Sequence, residues 1–168
     1  MPSTGLEAVR VLVVDDNQHM RSIVSTMLHS FGIRMIREAK DGTEAIEVLS
    51  RWPADLAICD FLMEPTDGVA FTRQVRTAAD SPNPYLPVVM LTGHSELARV
   101  VDARDAGVTE FVVKPLTAKA LVDRINAVIF RPRPFVRTRD YFGPDRRRRD
   151  DPFYSGPRRR EADRSRTS

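Results

Sequence analysis

The chain has 168 residues, 42% of them hydrophobic and 29% charged, with a formal net charge of +3. That length suits one domain with an appendage, and the single cysteine, Cys59, excludes an intrachain disulfide. No apolar run approaches the roughly 18 residues of a membrane span, and the opening MPSTGLEAVR lacks an apolar core of signal-peptide length, so a cytoplasmic protein is expected.

After a short N-terminal extension, residues 1–8, strands and helices alternate. VRVLVVDD, Val9 to Asp16, is a β-branched apolar run of the kind found in strands buried on both faces. From His19 to Phe31, Met20, Ile23, Val24, Met27 and Leu28 recur at helical spacing, and Gly32 stops the helix. MIREAK, Met35 to Lys40, reads as a strand closed by an Asp41-Gly42 turn. TEAIEVLSRW follows as a helix ended by Pro53, and Asp55 to Asp60 is a third strand. Asp67 to Thr77 is a helix with Val69, Phe71 and Val75 inward. LPVVMLTG is a fourth strand, and Ser95 is expected to cap a helix running through Ala106 to Gly107. EFVVKP is a fifth strand, and Thr117 to Phe130 a last helix with Leu121, Val122, Ile125 and Val128 inward. Five strand–helix units over residues 9–130 predict an α/β fold, an open doubly wound parallel sheet with helices on both faces. Ligands of such sheets sit at the carboxyl ends of the strands.

Those ends carry the chemistry. Strand one ends in Asp15-Asp16, strand three in Asp60, strand four in Thr92 and strand five in Lys114. Three carboxylates crowded on one sheet edge repel by several kcal/mol at surface-like dielectric. A hard divalent cation bound through oxygens relieves this, and Mg²⁺ suits a site with few protein ligands and several waters. One carboxylate can then attack a phosphoryl group and form an acyl phosphate, with the metal and Lys114 neutralising the phosphoryl oxygens and Thr92 donating a hydrogen bond.

VVDDN after the first strand, CDFLMEPTDG after the third, LTGHSE after the fourth and FVVKPL at the fifth together resemble the receiver domain of two-component response regulators, the CheY-like fold. The resemblance covers roughly Arg10 to Phe130. It implies a flavodoxin-like (βα)5 sheet of strand order 2-1-3-4-5, with Asp60 as phosphoacceptor. Asp16, Asp60 and the backbone carbonyl of Leu62 are then direct Mg²⁺ ligands, and Asp15 acts mainly through water. Thr92 is the switch hydroxyl, Lys114 the phosphoryl-binding ammonium and Phe111 the aromatic that turns inward on activation. The bond preceding Pro115 is expected to be cis. The implied role is a phosphoacceptor signalling protein, one that assists its own phosphorylation and dephosphorylation rather than turning over a metabolite. Its partners are a histidine kinase or histidine phosphotransfer protein upstream and a protein target on the helix 4, strand 5, helix 5 face downstream. Phosphorylation adds nearly two negative charges at the strand ends and biases a two-state element. Leu62 and His94 depart from the family's pattern at positions bordering the path of the attacking water, which bears on the lifetime of the phosphoryl group. Haloacid-dehalogenase phosphatases use a similar residue set, but they need Asp-x-Asp after the first strand, and DDNQH lacks it.

Beyond Phe130 the texture changes. Residues 1–130 hold 13 Lys and Arg against 17 Asp and Glu, whereas residues 131–168 hold 13 against 6, together with five of the twelve prolines. A Pro/Arg-rich tail without apolar periodicity is expected to be largely disordered on its own. YFGPDRRR and FYSGPRRR form an approximate repeat. Three readings stay open for it: a solvated extension, an anion site, or a nucleic-acid-binding arm. As an anion site it would use Arg146, Arg147, Arg148, Arg149, Arg158, Arg159 and Arg160, whose guanidinium planes stack on purines and clamp phosphates. Some CheY-like proteins carry arginine-rich extensions that bind cyclic di-GMP, and this tail resembles them in placement and composition. The nucleic-acid reading is weakened by the six interspersed acids. A recognisable DNA-binding domain after the receiver is not expected.

Overall fold

The computed structural model describes residues 5–146. Five parallel strands, β1 (Arg10–Val14), β2 (Met35–Ala39), β3 (Leu56–Asp60), β4 (Val88–Thr92) and β5 (Glu110–Val113), form one sheet in the order β2-β1-β3-β4-β5. Between and after them run α1 (Gln18–Ser30), α2 (Gly42–Arg51), α3 (Gly68–Thr77), α4 (Val100–Ala106) and α5 (Ala118–Phe130). The expected strand order is the observed one. It follows from two physical facts: crossover connections are right-handed, and the three most apolar strands need neighbours on both sides. β3 and β4 are buried at every position, as is β1 beyond Arg10, whereas the edge strand β2 exposes Arg37 and Glu38.

Alternation along the strands sends residues to two cores. Val11, Val13, Ile58, Val89, Leu91 and Val112 meet Val24 and Leu28 of α1 and Leu121, Ile125 and Val128 of α5. On the other face, Leu12, Val14, Ala57, Cys59 and Val88 meet Ala45 and Leu49 of α2 and Phe71 and Val75 of α3. A third cluster joins Met90 and Phe111 to Phe61, Val69 and the α4 residues Val100, Ala103 and Ala106. Each large side chain buried this way contributes about 1.5–3 kcal/mol. Side-chain caps fix where helices begin: Asn17, Asp41, Asp67 and Thr117 accept from Met20, Glu44, Ala70 and Ala120 backbone N–H groups respectively.

Three local expectations are corrected. Asp41-Gly42 is not a free turn; Asp41 caps α2, of which Gly42 is the first residue. Ser95 caps nothing, because its hydroxyl donates to Glu96 Oε2 at 2.6 Å and the segment His94–Arg99 is a 3₁₀ turn leading into α4. The third concerns the stretch after Phe130, which is not without structure throughout. β6 (Phe135–Arg137) and β7 (Phe142–Pro144) form an antiparallel hairpin, with Thr138 N–H donating to Tyr141 O at 2.8 Å.

The hairpin is ordered by partners remote in sequence. The rings of Phe135, Phe142 and Tyr85 lie 5.2–5.6 Å apart, centroid to centroid. The Arg76 guanidinium lies 5.0 Å from the Phe135 ring centre. Arg76 is only 3% exposed; Nε and Nη2 donate to Gly107 O at 3.1 and 2.9 Å and Nη1 to Pro84 O at 3.0 Å. Burial lowers its pKa to about 10.

Candidate functional site

The carboxyl ends of the parallel strands bring Asp15, Asp16 and Asp60 together, with one oxygen from each lying within 4.8 Å of the others. Asp15 and Asp60 are buried, and Asp16 is exposed. Lys114 enters from the end of β5, and its Nζ donates to Asp60 Oδ1 at 2.7 Å. The same segment is tied to β4 by Lys114 N–H to Thr92 O at 2.8 Å, while Phe61 N–H to Leu91 O at 2.9 Å holds the residue after Asp60. Thr92 is fully buried, its hydroxyl donating weakly to Gly93 O at 3.3 Å. Phe111 is buried on Phe61, Met90 and α4, and Leu62 stands in the loop after β3 with its side chain half exposed. The Lys114-Pro115 bond is cis, as is Glu64-Pro65. The five strand-end residues singled out in the sequence thus converge on one edge.

Asp15 is the most constrained of them. Its N–H donates to Ala39 O at 3.0 Å, its carbonyl accepts from Arg21 Nη1 at 2.6 Å, and its Oδ1 accepts from Asn17 N–H at 2.8 Å. Arg21 is held in turn by Glu38 at 3.0 Å. One polar atom is left over: Asp15 Oδ2 is buried with no hydrogen-bond partner. A buried carboxylate oxygen left orphaned is costly unless a cation fills the gap. Mg²⁺ is a hard cation that takes oxygen ligands, and three carboxylates clustered together, one with an orphaned oxygen, are the donor set that suits it. Arg21, Asn17 and Gly68 are the site residues that sequence reasoning left out. Asn17, directly before the helix, was readable as a cap. Gly68 packs against Asp60 O, and a Cβ there would stand 2.5 Å from it.

Electrostatics agree with this geometry. Burial raises Asp15 to about 6, helped by the Asp60 and Asp16 charges and opposed by the Asn17 bond and Lys114. Asp60 is also raised by burial, with Lys114 opposing. The folded chain therefore holds the Asp15 proton up to about pH 6, whereas the unfolded chain releases it near 3.8. Within that window the folded state binds more protons, so its stability falls as pH rises. The melting temperature of metal-free protein is expected to drop between about pH 4 and pH 6 by more than that of Asp15→Asn, and millimolar Mg²⁺ should recover the loss at neutral pH but not at the acid end. Identical pH profiles for the two proteins would contradict the burial argument.

Of the arginines assigned to an anion site, Arg146 is engaged within the domain, paired with Asp105 and stacked 4.1 Å from the Tyr141 ring centre. Arg147, Arg148, Arg149, Arg158, Arg159 and Arg160 lie outside the described residues. Among the described residues, no helix is long and apolar enough to cross a membrane.

The chain is similar to chemotaxis protein CheY of Pseudomonas aeruginosa, 35% identical over 123 residues that cover 73% of this chain and 98% of that protein. It is 32% identical to CheY-3 of Vibrio cholerae over 73% of this chain and 93% of that one. The crystal structure of the chemotaxis response regulator CheY4 of Vibrio cholerae superposes with a TM-score of 0.65 at 29% identity, covering 72% of this chain and 98% of that one. The description of the family that matches residues 11–126 is "response regulator receiver domain". The matched span holds the acidic trio, Thr92, Phe111 and Lys114 and stops short of the hairpin, so the chain belongs to the response regulator receiver family from β1 to α5 and adds a segment of its own after it.

Proposed function

We propose that this protein is a response regulator, residues 9–130 forming the receiver, in which Asp60 accepts a phosphoryl group from a histidine kinase or a histidine phosphotransfer protein in the cytoplasm. The supporting observation is the 2.7 Å contact of Lys114 Nζ with Asp60 Oδ1 beside two further carboxylates, one with an orphaned oxygen. An Asp60 oxygen forms the new bond to phosphorus as the phosphorus–nitrogen bond of the donor phosphohistidine breaks; the imidazole keeps the electron pair and takes up a proton. Asp15, Asp16, Asp60 and the Leu62 carbonyl would hold Mg²⁺, which supplies neutralising charge for the phosphoryl oxygens when bound. Lys114 moves from the carboxylate to the phosphoryl group, and the Thr92 hydroxyl turns from Gly93 O to donate to it. In this way the chain assists its own phosphorylation and the later hydrolysis, in which water attacks phosphorus, the Asp60 carboxylate leaves and inorganic phosphate is released.

The consequence is a change of shape rather than a product. Thr92 ends β4 and Phe111 stands in β5 against α4, so a new charge at Asp60 biases the α4, β5, α5 face and with it the binding of a downstream protein. Beryllofluoride with Mg²⁺, a stand-in for the phosphoryl group, is expected to shift amide resonances in α4, β5 and α5 of the wild type and leave Asp60→Asn unmoved. Shifts confined to the strand ends would contradict a switch that reaches this face.

A further inference from the structure

The segment after α5 does not hang free of the receiver. It grips the α4–β5 connection at both of its ends. Arg146 pairs with Asp105 in the last turn of α4. Arg133, whose side chain is 7% exposed, pairs with Glu110 at the first position of β5 at 3.2 Å. Between these, Arg76 donates twice to Gly107 O with the Phe135 ring close against its guanidinium. The hairpin backbone approaches Gly107 so closely that a Cβ on Gly143 would stand 3.1 Å from Gly107 Cα, 2.6 Å from Tyr141 Oη and 2.9 Å from Tyr141 Cζ. Tyr141 is buried, and its hydroxyl donates to Pro144 O at 2.6 Å. Packing this close leaves little slack, and a shift of α4 against β5 has to be met by the hairpin.

The clasped segment adjoins a moving part of the proposed switch. Phe111 follows Glu110 directly and shares one buried cluster with Ala103 and Ala106 of α4. The docked hairpin and the buried Phe111 are found together. We infer that the β6–β7 hairpin is a built-in positive regulator: by clasping Asp105, Gly107 and Glu110 it favours the inward arrangement of Phe111, so that docking of the hairpin and occupation of Asp60 strengthen one another. The inference rests on the phosphoacceptor reading above. Coupling of this kind is reciprocal, since two events that favour one conformation each raise the other's equilibrium constant by the same factor.

The test uses the full chain with Mg²⁺ present. Beryllofluoride affinity is measured by calorimetry for wild type, Gly143→Ala and the double variant Phe135→Ser with Phe142→Ser, and hydrogen exchange follows residues 135–144. The variants are expected to lose protection in the hairpin and bind beryllofluoride about fivefold or more weakly, the lower end of typical coupling. In the wild type, beryllofluoride should raise hairpin protection by a similar factor. The double variant removes the ring cluster outright, so it undocks the hairpin even where the single methyl is tolerated. Variants with an unprotected hairpin and wild-type beryllofluoride affinity would overturn the coupling and leave the phosphoacceptor reading intact. A wild type that binds no beryllofluoride, like Asp60→Asn, would overturn both.

Discussion

Asp60→Asn is expected to abolish phosphoryl uptake from a small-molecule donor such as acetyl phosphate, by at least about a thousandfold, without lowering the melting temperature of the metal-free protein. The chemical half follows from the nucleophile: an amide oxygen neither carries the charge that attacks phosphorus nor forms an acyl phosphate. The stability half follows from burial. Asp60 is 7% exposed and its ionised form is disfavoured by desolvation and by Asp16, only partly offset by Lys114. A neutral isostere therefore removes a charge the fold bears at a cost. The two halves can be read in one preparation, by intact mass and by thermal denaturation. An Asp60→Asn protein that unfolds many degrees below wild type would show that the carboxylate holds the fold together, not that it was placed there for chemistry.

Gly68→Ala is expected to damage the site from below. The new methyl would lie 2.5 Å from Asp60 O, 2.9 Å from Met90 Cε and 3.3 Å from Cys59 Sγ. Met90 can adjust, but the nearest atom is backbone. Either α3 moves away or the end of β3 shifts, and overpacking of this kind costs about 1–3 kcal/mol or more. A shift of the β3 end carries the Asp60 carboxylate away from Asp15 and Lys114, and misplacement on the order of 1 Å can cost about a hundredfold in rate. Gly68→Ala should therefore lower both the melting temperature and the rate of phosphoryl uptake, the latter by at least about tenfold. Wild-type uptake in this variant would mean that the approach of α3 to β3 plays no part in placing Asp60.

These expectations separate what sequence alone could reveal from what it could not. β1, β3 and β4 were legible because a strand covered on both faces has to be an unbroken apolar run, and RVLVV, LAICD and VVMLT stand between polar turns. Their last residues could be placed on a common edge because parallel strands share a direction. Lys114 and Thr92 came with them for the same reason. Arg76 was not legible as a buried residue. Its helix position, seven residues after the inward Val69, lies on the inner face, but an arginine there gives no sign of being buried, and its acceptors, Pro84 and Gly107, are brought to it only by the fold. The hairpin was missed likewise. Phe135, Tyr141 and Phe142 are too few to signal a core by period, and Pro132, Pro134 and the arginines argue for open chain. Their order comes from Tyr85, Arg76 and Gly107, which lie at least twenty-odd residues upstream. Arg21 was hidden in another way, since its role is to hold the carbonyl of Asp15, and a backbone acceptor leaves no trace in the sequence of its donor.

Whether the carboxylate of Asp60 carries the phosphorus is tested by incubating the wild-type protein with acetyl phosphate, with and without Mg²⁺, and mapping the peptides of the modified chain. One acid-stable, base-labile phosphoryl group is expected, formed only with Mg²⁺ and located on the peptide containing Asp60. A phosphoryl group on any other residue, or none in the presence of Mg²⁺, would contradict it.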